Sequence, residues 1–239
     1  MNPDSALPQG REKAAAVRSM FDAIAPRYDM LNRLLTFGMD GRWRQRAVRE
    51  LGLPAGSRVL DLACGTGDLC RELEAAGYRA VGFDLSAGML RAAQKHRDSG
   101  KLSAPMALGD ALCLPVPPRS AHGITCGFAL RNVVDLDGLF AELARAVRPG
   151  GRVSLLDVAE PSNPVMRIGH RLYFGRVVPL VGGLLSDRAA YAYLPKSAAY
   201  LPAADALVGL LASHEFEQVD HELLSSGIAQ LITATRKPS

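Results

Sequence analysis

Hydrophobic positions set out an alternation of two periods. Short runs rich in β-formers, Arg58 to Ala63, Arg79 to Phe83, Pro105 to Leu108, Gly123 to Gly127 and Arg152 to Val158, read as buried strands. Between them Asp68 to Ala76, Ser86 to His96 and Leu136 to Val147 carry the 3.6-residue apolar spacing of helices. Strand and helix in repeated succession imply right-handed crossovers and a mostly parallel sheet covered on both faces. Two earlier helices are expected at Glu12 to Ala25 and Arg42 to Leu51, separated by a turn-rich stretch from Pro26 to Gly38. Arg148-Pro149-Gly150-Gly151 reads as a turn closing a helix before a strand. Beyond Pro161 the alternation lapses until a helix at Ala203 to Ser213 and strands at Glu217 to Leu223 and Ile228 to Thr235. The segment of about 161–202 therefore reads as an insertion, and the chain as a loose tail over 1–11 and one domain over 12–239.

Composition narrows the class. With 239 residues, 48% hydrophobic and 22% charged, the chain is an ordinary globule that needs neither disulfides nor a structural metal. Its 28 basic against 24 acidic residues leave a net charge of only +4, weak support for nucleic acid, and none is expected as a partner. The densest basic cluster, Arg42, Arg44, Arg46 and Arg49, reads as a solvated helix face. Cys64, Cys70, Cys113 and Cys126 contain no CxxC pair and the five histidines no HxxxH spacing, so no metal is expected. Met1 to Gly10 lacks the apolar core of a signal peptide, which points to a reducing, cytoplasmic setting. The uncharged apolar run from Val177 to Ser186 is too short to span a bilayer.

Candidate chemistry lies at the strand ends. In Asp61-Leu62-Ala63-Cys64-Gly65-Thr66-Gly67-Asp68 a strand runs into a glycine turn and then a helix, and Gly65 and Gly67 let a ligand approach the backbone. A dinucleotide fingerprint would place a third glycine where Cys70 stands and would keep the helix N-terminus free for pyrophosphate. Instead Asp61 and Asp68 flank the turn, which favours a cation. S-adenosylmethionine carries a sulfonium and an ammonium and no phosphate. Asp84 ends the next strand, where a carboxylate can take ribose hydroxyls, and Asp110-Ala111 ends the third, placed to meet an adenine edge.

Leu60 to Gly67, Asp84, Asp110 and Arg148 to Gly151 resemble the class I S-adenosylmethionine-dependent methyltransferases. Met20-Phe21-Asp22, Tyr28-Asp29, Asn32, Phe37-Gly38, Trp43-Arg44, Phe128 to Val133 and Tyr191 to Ser197 are similar to the C-methyltransferases of menaquinone and ubiquinone biosynthesis, and this likeness runs nearly the whole chain. The resemblance implies an α/β fold: a seven-stranded, Rossmann-like sheet with helices on both faces, N-terminal helices and an inserted helical lid before the last two strands. It also implies donor-binding positions at Thr66, Asp84, Asp110, Ala111 and Gly127, and Asp61, Gly65, Gly67, Leu85 and Met89 are further candidates for donor binding. The activity implied is C-methylation of a prenylated quinol, demethylmenaquinol to menaquinol. A ubiquinone-pathway benzoquinol, a soluble aromatic or polyketide acceptor, and a non-catalytic donor-binding module are the alternatives. The chain departs from the family's pattern at Cys64, Ala129, Asp40 and Ser226 to Ile232.

A quinol must lose a proton to attack the donor methyl, and ionising a phenol of pKa near 10 at pH 7 costs about 4 kcal/mol. Arg131 is expected to stabilise the phenolate and Asn132 to orient the hydroxyl or a water, the competing reading being that Arg131 pairs with Asp110 or Asp135. Tyr193 is the chosen proton-handling candidate, with Tyr191, Asp157 and His170 beside it. The insertion and the Met20 to Trp43 segment are expected to form an apolar lid. Weak contact with the cytoplasmic membrane face and a homodimer contact are further expectations.

Overall fold

A computed structural model describes residues 10–161, 163–177 and 200–238. Seven strands form one sheet in the order β3-β2-β1-β4-β5-β7-β6. They are β1 (Arg58–Leu62), β2 (Arg79–Asp84), β3 (Met106–Leu108), β4 (Ala121–Gly127), β5 (Val147–Val158), β6 (Phe216–Leu224) and β7 (Ala229–Arg236). The first five are parallel, and β7 pairs antiparallel with both β5 and β6. The sequence-expected α/β architecture is therefore observed.

The alternation of side chains along β1 explains how the sheet is covered. Leu60 and Leu62 join a core with Ile124, Phe140 and Leu143. Val59, one residue out of phase, joins the opposite core with Leu51, Cys70 and Leu73. Helices α4 (Asp68–Ala75), α5 (Ala87–Asp98) and α6 (Leu136–Ala146) are the crossovers, and α8 (Ala204–Ser213) precedes β6. Three helices come first: α1 (Gly10–Ile24), α2 (Tyr28–Leu35) and α3 (Met39–Arg49). A further helix, α7 (Pro164–Leu172), opens the insertion. Among the described residues no helix is long and apolar enough to cross a membrane.

Three expectations need correction. The stretch expected to be turn-rich holds α2, because Pro26 sits in the first turn of a 3-10 segment, Ala25–Arg27, and Leu31 and Leu35 beyond it share one buried helical face. The Arg148 to Gly151 turn lies inside β5: pairing starts at Val147 opposite Ala121 and shifts register before Arg152, with Gly150 at φ 71°. Arg44 is not on a solvated face. Residues two apart fall on opposite sides of a helix, so Arg42 is exposed while Arg44 is buried beside Trp43, Ala47 and Val48.

Candidate active site

Strand order reverses between β1 and β4, and ligands of open α/β sheets bind outside the carboxyl ends of strands at such a point. A cleft open to solvent lies there. The turn after β1 winds through three left-handed residues, Ala63 (φ 51°), Gly65 (φ 58°) and Gly67 (φ 89°). It is held by Asp84 at the end of β2: the Gly65 N–H donates to Oδ2 at 2.7 Å and the Ser86 N–H to Oδ1 at 2.7 Å. Burial pushes the Asp84 carboxyl up, and those two N–H bonds oppose the shift. A carboxylate has about four lone-pair sites, so Asp84 can still accept from a ligand in the cleft that it lines.

Gly65, Asp84, Leu85, Met89, Asp110, Ala111 and Gly127 all line this cleft. The Leu112 N–H donates to Asp110 Oδ1 at 2.9 Å, which sets the turn after β3. A Cβ at Gly127 would stand 2.6 Å from Leu69 Cδ1, so a larger residue there would require the Leu69 side chain to shift. Asp61, Thr66 and Gly67 lie behind the lining. Asp61 is fully buried under the turn, where Thr125 Oγ1 donates to Oδ1 at 2.7 Å and Cys70 Sγ to Oδ2 at 3.5 Å. Burial raises its carboxyl to about 7. Thr66 Oγ1 donates to Asp29 Oδ1 at 2.6 Å, away from the cleft. The expectation that Asp68 awaits a cationic ligand is corrected: it already pairs with Arg44 at 3.3 Å and with Arg71.

The roof extends the expected Met20 to Trp43 lid into the preceding turns of α1. Helix α1 contributes Ala14, Val17, Arg18 and Phe21 to the same cleft. Its Asp22 Oδ1 accepts from Ser86 Oγ at 2.6 Å and from the Gly88 N–H at 2.7 Å, joining α1 to the start of α5. The Ser86 hydrogen bond is also the main reason the Asp22 carboxyl sits below its usual range. The sequence marks Met20-Phe21-Asp22 and Tyr28-Asp29 as motifs without showing which loops they reach.

A second cleft meets the first at Phe21, Tyr28 and Phe128. Its described walls are mainly apolar, with Trp43, Phe128, Tyr173, Leu223 and Ile228, and Arg44 and Arg131 are the cations at its edge. Burial raises the Tyr28 phenol. Arg131 pairs with Asp157, not with Asp110 or Asp135, and its backbone N–H donates to Asp157 Oδ2 at 3.2 Å. Asp135 instead caps α6, accepting from the Gly138 N–H at 2.9 Å. Asp157 is thus held as a counter-ion. Asn132 lines the first cleft, its Nδ2 3.5 Å from the Phe128 carbonyl. Tyr191 and Tyr193 lie outside the described residues, as does the side chain of His170.

The strand order and the cleft at its reversal are those of the class I methyltransferase fold. Structural comparison agrees on the fold. An S-adenosylmethionine-dependent methyltransferase from Thermotoga maritima superposes with a TM-score of 0.66 at 18% identity, covering 92% of this chain and 99% of that one. The cyclase SpnF gives 0.70 at 17% identity over 98% and 100%. The chain belongs to the ubiE/COQ5 methyltransferase family, which matches residues 9–236. Among its relatives is the ubiquinone/menaquinone biosynthesis C-methyltransferase of Syntrophotalea carbinolica, 41% identical over 221 residues, 92% of this chain and 93% of the relative. The demethylmenaquinone methyltransferase of Thermus thermophilus is 42% identical over 220 residues, 91% of this chain and all of that protein.

Proposed function

We propose that the protein transfers a methyl group from S-adenosylmethionine to a ring carbon of a prenylated quinol, demethylmenaquinol being the favoured acceptor. The observation that carries this reading is the meeting of two unlike clefts at Phe21, Tyr28 and Phe128. The first suits the donor. Asp84 would take the ribose hydroxyls, Asp110 and Ala111 the adenine edge, and Leu85 and Met89 its faces. Gly65 and Gly127 keep the path clear of side chains, while Asp61, Thr66 and Gly67 act from behind by fixing the turn and, in Asp61, placing a carboxylate below the donor's cations. The second cleft suits an aromatic ring with a greasy tail.

Its one phenol-stabilising cation is proposed to be Arg131. The Asp157 carboxylate fixes the guanidinium at the sheet edge, so its positive charge can face a developing phenolate without reorganisation. Asn132 would orient the hydroxyl or a water. Tyr193 remains the proposed proton-handling residue, in a lid formed by 161–202 over a single domain. Phe37, Val165, Ile168 and Leu172 are exposed apolar side chains beside this cleft, which supports weak contact with the cytoplasmic membrane face. A homodimer contact through the same segment is part of the proposal.

Labelled donor incubated with a panel of reduced quinols, with the label located by mass spectrometry, tests reaction and acceptor together. Label on a ring carbon of the prenylated naphthoquinol is expected. Preference for tail-less soluble phenols would overturn the acceptor assignment.

A further inference from the structure

Lys13 is the one lysine of α1 and is only 5% exposed. A lysine is seldom buried without a task, since taking its charge out of water is costly. Burial indeed lowers its pKa. Three groups hold the ammonium. It donates to the carbonyl oxygens of Arg131 and Val133, each at 3.0 Å, and it lies 3.9 Å from the centroid of the Tyr200 ring. These partners belong to different parts of the site. The Arg131 to Val133 turn carries Asn132 and Val133 into the first cleft and Arg131 into the second. Tyr200 ends the inserted segment, next to Leu201 of the second cleft. Lys13 itself stands beside Ala14 in the roof of the first.

We propose that Lys13 is a positioning residue that locks the roof helix to the turn bearing Arg131 and Asn132 and to the end of the insertion, so that donor enclosure and ordering of that turn are one event. This rests on the placement of the donor in the first cleft given above. An ammonium suits the task because it can satisfy two carbonyls of one tight turn and still present its charge to a ring face. A neutral side chain of equal length would fill the space and leave both carbonyls without their donor. The lock would therefore control how long the demethylated donor stays bound.

The test is the dissociation rate of S-adenosylhomocysteine from the full chain, read by stopped-flow competition, which needs no quinol. Hydrogen bonds from a charged group contribute enough that Lys13→Met should speed release by about 10- to 100-fold. Lys13→Arg should restore most of the retention. Tyr200→Leu should speed release in the same direction as Lys13→Met, and it reads the lock even if Lys13→Met does not fold. With saturating donor and acceptor, Lys13→Met should also lower kcat, which simple loss of donor affinity would not do. Release within twofold of the unaltered rate in both folded Lys13→Met and Tyr200→Leu would overturn the lock. An unaltered chain that fails to bind S-adenosylhomocysteine at all would instead overturn the donor placement on which it rests.

Discussion

Arg131 and Asp157 form a buried ion pair across 26 residues of sequence, joining the turn after β4 to the C-terminal end of β5. Asp157 is fully enclosed, and besides the guanidinium it accepts from the Arg131 and Val158 N–H groups. Removing either partner leaves a charge without compensation, so Arg131→Ala and Asp157→Ala should each lose about 3 to 5 kcal/mol in urea unfolding. The two roles of Arg131 separate in the pair replacement Arg131→Met with Asp157→Leu. Stability should return to within about 1 to 2 kcal/mol of the unaltered chain, because a well-packed apolar pair replaces a buried ionic one at little cost. Turnover should stay lower by about 10² to 10³ if the guanidinium stabilises the phenolate, with donor affinity within about threefold. Recovery of both stability and kcat would show that Arg131 serves the fold alone.

Asp61 makes stability depend on pH with an unusual sign. Its carboxyl is raised to about 7 by burial, whereas in the unfolded chain it titrates near 4. The native state therefore holds this proton more tightly. Its contribution is fully present below about pH 4, is lost as pH rises towards 7, and is constant above that. Asp61→Asn should gain stability relative to the unaltered chain across that window, by up to about 4 kcal/mol. A cationic donor overhead would favour the carboxylate, so donor binding near pH 7 should release about half a proton. Calorimetry in buffers of different ionisation enthalpy measures this, and no proton release would detach Asp61 from the donor.

Gly88 tests the roof. A Cβ at this position would lie 2.8 Å from the Asp22 Cα and 3.0 Å from its carbonyl oxygen, so the backbone of α1 would have to move. Gly88→Ala should cost about 1 to 3 kcal/mol as an overpacked contact. It should also weaken the Gly88 N–H bond to Asp22 and lower donor affinity, measured by calorimetry, by roughly tenfold. Gly41→Ala on α3 is the control. Nothing lies within 4 Å of the added Cβ, and a helical alanine is favoured over glycine, so stability should hold or rise by about 1 kcal/mol.

What the chain discloses in advance follows from range. Each strand is a local apolar run, and the pattern places each within two residues of its observed ends except for the start of β5, where the register shift at Gly150 hides in a turn signal. Acids at strand ends are equally legible, because Asp84 is the last residue of its strand and Asp110 stands two residues past the end of β3. Partnerships across the fold are not. Asp135 and Asp110 are nearer Arg131 in sequence than Asp157 is, yet their oxygens already serve local turns at Gly138 and Leu112. Asp68 beside a glycine turn looks like a ligand acid until α3 brings Arg44 against it. Nothing in the neighbours of Lys13 shows that its partners are carbonyls about 120 residues away.

Arg44 links the two clefts electrostatically. Its guanidinium pairs with Asp40 and Asp68 and stands 5.3 Å from the Phe128 ring at the junction. Burial alone would raise the Asp40 carboxyl, but Arg44 and the Thr36 hydroxyl, 2.7 Å away, outweigh it and hold it below its usual range. The stability Asp40 contributes is therefore present above about pH 4 and lost as pH falls through its native value. Arg44→Met should cost about 3 to 5 kcal/mol near neutrality, since two buried carboxylates lose their shared cation. The loss should shrink in acid, where Asp40 becomes protonated, and should change little with salt, because the pair is enclosed. Unfolding curves at pH 7 and well below pH 4, each at low and high ionic strength, separate these effects. A loss that salt reduces and acid leaves untouched would mean that Arg44 acts as a surface charge after all.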